Sequence, residues 1–299
     1  MAFARTVRLF LMDGSPSGRI KCSLTNWTGQ VYLIPRTEIA RSKGRLELSR
    51  TGIYFLFGTD SETGEDLLYI GQARERKNGN GVLGRIAEHI GEEKLDYFTH
   101  AIIVVTSDDS FGPTEISYLE NYFYQQAIQA DRVKVMNGND PSPGKVGEEK
   151  KAELDEFTAN ANICIGSLGY KVFDVVDGAK TAPVTPTEAP AKKAEPPLYL
   201  NAAGATGTGR QTTEGFVILQ GAQLRTELTH SAPKAVAKDR ERLADRIDSA
   251  GVLTRDTLFS SPSAASNFLM GASTSGKLQW KNADGVSLGD LEKAEMESN

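Results

Sequence analysis

Short apolar and alternating runs cover 7–12, 20–24 and 30–34, the pattern of half-buried strands, with Asp13-Gly14, Ser17-Gly18 and Thr28-Gly29 supplying turn chemistry between them. Pro35 closes the third run, and Thr37 stands where it would cap a short helix through 39–42. A charge-free, β-rich run over 52–57 meets a second at 66–71 across the polar stretch 59–65, which predicts a hairpin. The period then changes. Beyond a Lys/Asn/Gly loop at 77–81, Val82, Leu83, Ile86, Ala87 and Ile90 recur at helical spacing and Gly91 supplies a stop. A buried strand follows at 100–106. Pro113 opens a long helix with Ile116, Leu119, Phe123 and Ala127 as its apolar stripe. A Gly/Pro/Asn loop at 137–147 leads to a second helix over 148–163 and a closing strand over 170–176.

The order β-β-α-β-α-α-β predicts a small α+β domain over 51–176, preceded by a β-rich extension over 1–50. From 177 to 214 the composition shifts to Ala, Pro, Thr and Lys, including Pro183, Pro186, Pro190, Pro196 and Pro197, which reads as a linker. Residues 201–213 are expected to carry little structure of their own. A separate α+β C-terminal domain is expected over 215–293. Its parts are a strand at 215–219, a charged helix over 234–249, a helix opened by Ser261 and Pro262 and ended by Gly271, and a hairpin around 278–285.

Composition narrows the class. The 299 residues suit two modules and a linker, and 39% hydrophobic with 24% charged residues is ordinary globular usage. No apolar run is long enough to cross a bilayer, and Arg8 and Asp13 break the N-terminal apolar stretch, so neither a membrane span nor a secretory leader is expected. Cys22 and Cys164 stand far apart with no His or Cys at metal spacing, which predicts core thiols in a reducing, cytoplasmic protein. The net charge of −5 speaks against a nucleic-acid partner until it is divided. Residues 1–50 hold nine basic groups against three acidic ones, a net of +6, so the rest sums to −11. Arg5, Arg8, Arg41 and Lys43 in that basic stretch are therefore candidate DNA-binding residues, with a solvated basic face as the alternative.

Hydrolysis of a phosphodiester needs an activated water, positive charge or donors on the non-bridging oxygens, and help for the departing alkoxide. Tyr54 and Tyr69 sit on the two strands of one predicted hairpin. Arg85 and His89 lie one helical turn apart, on one face. Glu120 falls within an apolar helix, where an unpaired carboxylate is costly, and Asn137 follows in a loop.

The joint order Gly52-Ile53-Tyr54, Tyr69-Ile70-Gly71, Arg85, His89, Glu120, Asn137 resembles the GIY-YIG nuclease family from about Gly52 to Asn139. The resemblance implies a small mixed sheet flanked by helices and a metal-dependent DNA endonuclease of a restriction, repair or mobile-element system. It also implies Glu120 as the single protein carboxylate on a divalent ion, Mg²⁺ with Mn²⁺ able to substitute, and Arg85 on the scissile phosphate. One tyrosine would relay the proton of the attacking water while the other orients it, with His89 as an auxiliary shuttle and Asn137 as support. The tail, with Ser260-Ser261-Pro262-Ser263 and Gly276-Lys277-Leu278-Gln279-Trp280-Lys281, is similar to a domain of unknown function often attached to bacterial members. The alternative is a non-catalytic nucleic-acid-binding or regulatory protein that retains the fold.

Overall fold

The computed structural model describes residues 4–74, 81–92, 95–175 and 196–298. The chain divides at Val175/Val176 into two compact units. Each has its own sheet and helices, an α+β architecture. Among the described residues no helix is long and apolar enough to cross a membrane.

The first unit is built on seven strands: β1 (Val7–Leu11), β2 (Ile20–Leu24), β3 (Gly29–Pro35), β4 (Gly52–Thr59), β5 (Asp66–Ala73), β6 (Phe98–Thr106) and β7 (Lys134–Val135). Their order across the sheet is β1-β2-β3-β6-β4-β5-β7. Every pairing is antiparallel except the short parallel contact of β5 with β7. The β1–β3 stretch of the expected N-terminal extension is thus continuous with the sheet that holds the candidate site. β3 runs along β6 from Gly29↔Thr106 to Pro35↔His100, and β6 in turn pairs with β4.

Successive side chains of a strand point to opposite faces, so β4 contributes to two cores. Ile53, Phe55 and Phe57 cluster with Phe123 of α2 (Pro113–Ala130) and with Leu154, Phe157 and Ala161 of α3 (Glu148–Ser167). Tyr54 and Leu56 join Val82, Leu83 and Ile86 of α1 (Val82–His89). A strand covered on both sides has no solvated face, which explains the charge-free run at 52–57.

Two expectations fail in this unit. No helix capped by Thr37 forms. The chain instead makes two 3-10 turns, Arg36–Glu38 and Ala40–Ser42, with no side-chain cap. The strand expected over 170–176 is absent as far as Val175, and Val176 lies outside the described residues. Gly169 (φ 97°) turns the chain at the end of α3, and Tyr170 and Phe173 are held by ring packing on Phe57 and on Phe55 and Phe123 rather than by strand pairing. Of the loop at 77–81 only Gly81 is described.

In the second unit β8 (Leu198–Ala202), β9 (Ala205–Thr212), β10 (Gly215–Ile218) and β11 (Thr257–Phe259) form an antiparallel sheet in the order β11-β10-β9-β8. The linker expected over 177–214 lies outside the described residues up to 195, and from Leu198 onward it is replaced by a hairpin. Ala203 and Gly204, both at positive φ, make its two-residue turn. β9 escapes a pattern search because its inward positions are glycines. A Cβ at Gly207 would lie 2.9 Å from Leu269, and one at Gly209 would lie 2.3 Å from the Phe216 ring.

The charged helix is shorter than its charge pattern suggests. α4 (Lys234–Arg242) buries only Val236, leaving little to hold further turns against the core. α5 (Pro262–Met270) is capped as expected, Ser261 accepting from Ala264 N–H at 3.1 Å and Gly271 (φ 61°) ending it. Where a strand was expected at 278–281, Gly276–Gln279 forms a single helical turn, α6, pressed on the start of α5: a Cβ at Gly276 would sit 2.2 Å from the Pro262 carbonyl carbon. The turn beyond it does form, bridged by Lys281↔Ser287. The chain closes with α7 (Leu288–Ser298).

Candidate active site

The β4/β5 register pairs Tyr54 with Gly71 and Leu56 with Tyr69. Tyr54 and Tyr69 therefore share one sheet face, with ring centroids 6.3 Å apart. The glycine of the second triplet makes room for the tyrosine of the first. A Cβ at Gly71 would lie 2.4 Å from both Cζ and Oη of Tyr54. We expect Gly71→Ala to destabilise the first unit by about 1–3 kcal/mol and to displace the Tyr54 ring. A thermal melt identical to the parent's would refute that packing argument.

α1 faces the same side. His89 is 1% exposed, with Nε2 2.7 Å from Tyr54 Oη and Nδ1 2.9 Å from Glu92 Oε1. The Tyr69 ring meets the imidazole edge-on at 5.4 Å. One turn earlier Arg85 donates to Glu88 Oε2 at 2.9 Å, and its charge acts on the nearby Tyr54 phenol. Burial, and after it the neighbouring Tyr69, push the Tyr54 phenol well above its ordinary range, while the Arg85 charge and hydrogen bond pull the other way. Tyr54 is thus a phenol, not a phenolate, at neutral pH. Tyr69, on the same face, is only half-buried.

Glu120 projects from α2, and its Oε2 accepts from Gln72 Nε2 at 2.8 Å. Burial raises its pKa, and the Gln72 hydrogen bonds oppose this. Gln72 Oε1 is buried without a hydrogen-bond partner. An orphaned amide oxygen beside a carboxylate suits a hard divalent cation, and Mg²⁺ takes one or two protein oxygens while keeping waters. The residues present fit such an ion, which Glu120 would hold with Gln72 alongside; Gln72 pairs with Ile53 and so points to the sheet face opposite Tyr54 and Tyr69. Among the described residues no cluster of three or more His, Cys, Asp or Glu side chains could hold a metal. Asn137 lies apart from the hydroxyls and clamps the backbone of Ile70, accepting from its N–H at 3.0 Å and donating to its carbonyl at 2.8 Å. It fixes the strand that carries Tyr69.

The basic candidates disperse. Arg5 donates to Asn160 of α3, and Arg8 is exposed on β1, four strands from β4, or about 19 Å. Arg41 is held by Glu38 at 2.8 Å and Asp13 at 3.9 Å. Lys43 stands beside α1. With Arg45 it lines a groove of about 440 Å³ whose other wall is the Gly84, Ala87 and Glu88 side of α1.

Sequence reading missed Gln72, Glu92 and Arg45. Gln72 directly follows the Tyr69-Ile70-Gly71 triplet, and Glu92 stands three positions after His89, so both had a positional signal. No curated protein and no solved structure matches the chain. Residues 198–292, within the second unit, match the family described as Domain of unknown function (DUF4357).

Proposed function

We propose that the first unit is a metal-dependent DNA endonuclease of the GIY-YIG type in a cytoplasmic bacterial protein, with the DUF4357-matching unit as an accessory module. The observation that carries this reading is the convergence of Tyr54, Tyr69, Arg85 and His89 on one face of the β4/β5 hairpin, with Tyr54 bonded to His89. Four polar side chains gathered beside an apolar core, one of them a cation, are a poor way to stabilise a sheet and a good way to receive a phosphodiester. A divalent ion held by Glu120 would supply positive charge for the non-bridging oxygens and the leaving group.

The protein groups divide by burial. Tyr54, 1% exposed and committed to His89, orients its neighbours. Tyr69, half-buried on the same face, is the phenol placed to meet the attacking water. Arg85 neutralises the phosphate, its charge permanent and its fork suited to two oxygens. The reading is tested by plasmid nicking with Mg²⁺ or Mn²⁺ in the parent and in Tyr69→Phe, Arg85→Ala and Glu120→Ala. Metal-independent DNA binding with no cleavage would instead favour the non-catalytic alternative.

The Lys43/Arg45 groove beside α1 is the surface best placed to carry the flanking backbone. Lys43→Glu with Arg45→Glu should weaken DNA binding and lower the slope of log K against log salt by about 0.9 for each phosphate left without its cation. Arg41→Glu should do less, since Glu38 and Asp13 already neutralise that charge. Equal slopes for the groove variant and the parent would remove the groove from the DNA path.

A further inference from the structure

Glu92 lies just beyond α1 with 31% of its side chain exposed, yet its Oε1 is hydrogen-bonded to the buried His89. Its own N–H donates to the His89 carbonyl at 3.1 Å, so the contact is fixed from backbone as well as side chain. A carboxylate only accepts hydrogen bonds. Nδ1 must then carry the proton of the neutral ring, Nε2 presents a lone pair, and the Tyr54 hydroxyl donates into it over 2.7 Å. With its one hydrogen spent inward, Tyr54 Oη has only lone pairs left to turn toward the nearby Arg85 guanidinium, which lowers the phenol's pKa and which Glu88 holds from the other side.

We propose that Glu92 is a positioning residue of the site, which through His89 and Tyr54 gives the chain Arg85→Tyr54→His89→Glu92 a single donor direction and so holds the guanidinium where a scissile phosphate meets it. The proposal rests on the nuclease reading above. No covalent step is involved. In the opposite tautomer Nε2–H would donate to Tyr54 Oη, the hydroxyl hydrogen would turn outward, and two donors would face each other at Arg85. A carboxylate is the side chain that forbids that arrangement, whereas an amide of the same shape can donate to Nδ1 and impose it.

The chain contains three histidines, so long-range ¹⁵N–¹H spectra of the full-length protein near pH ~8 resolve each ring above the ordinary imidazole pKa, with His89 assigned by its loss in His89→Gln. His89 is expected as the Nδ1–H tautomer in the parent and shifted toward Nε2–H in Glu92→Gln. In nicking assays Glu92→Gln is expected to lower kcat on the order of 10–100-fold, the worth of one hydrogen bond to a charged group, with metal-free DNA affinity and melting temperature unchanged. In a His89→Gln background the same substitution should add nothing, because the link to Tyr54 is already cut. An Nε2–H tautomer in the parent overturns the proposal. So does a rate loss without the tautomer change, or the tautomer change without a rate loss. If the parent cuts no DNA, the nuclease reading falls with it, while the spectra still decide the direction of the chain.

Discussion

Plasmid nicking in Mg²⁺ falls by about 10³-fold in Arg85→Ala and by at least as much in Glu120→Ala, while Tyr69→Phe loses roughly 10²–10⁴-fold, if the site is a nuclease. Arg85 is expected to matter most in kcat. It is held by Glu88 beside the Tyr54 phenol before substrate arrives, so its charge needs little reorganisation when the phosphate becomes more negative. Arg85→Lys keeps the charge and loses the fork, and should fall between parent and alanine variant. Glu120→Ala also strips Gln72 Nε2 of its carboxylate acceptor, so its melting temperature must be read beside its rate. The expected result is a small thermal shift with a large loss of metal-dependent cleavage. Unchanged cleavage in all three variants would remove these residues from the chemistry.

The largest stability effect is expected in the second unit. Trp280 is fully buried, its ring 4.5 Å from Phe216 of β10, and its Nε1 donates to the Pro262 carbonyl at 3.0 Å. It therefore ties α6 to both the sheet and the first turn of α5. Truncation to alanine leaves a cavity and removes the hydrogen bond to the Pro262 carbonyl, and should cost about 3–5 kcal/mol, a large share of the stability of a domain this size. By calorimetry the transition of that unit should drop by more than about 12 °C, and limited proteolysis should open residues 198–298. A drop of less than about 2 °C would mean the second core does not depend on the indole.

What the sequence disclosed followed from local chemistry. The hairpin was legible because a doubly covered strand must be charge-free, and because the polar turn between its strands has Asp60 accepting from the amides of Glu62 and Thr63. α5 was legible because Ser261, Pro262 and Gly271 each have a single best position at a helix end. Strand and helix periods put Tyr54 and Tyr69 on one hairpin and Arg85 and His89 on one helix face, and only the resemblance to the GIY-YIG family joined the two pairs. The rest depended on partners remote in sequence. Nothing near Gly207 or Gly209 announces a strand, since their glycines answer to Leu269 and Phe216. Glu120 was visible as a misplaced charge, but its contact with Gln72 arises only when α2 packs on β5. Glu92 lay past the end of the helical pattern, where a period argument has no reach.

The pairing of β3 with β6 has a consequence for how the chain is made. β3 leaves the ribosome about 70 residues ahead of the strand it must pair with, and at about 5–20 residues per second its inner edge waits on the order of ten seconds. β1 and β2 occupy only the other edge. A fragment started at Gly52 would move the problem rather than solve it, since β6 would then end the sheet with Ile102 and Val104 beside an unpaired backbone, a template for self-association. The shortest soluble form of the first unit is therefore expected to include β3 and so to begin before Gly29.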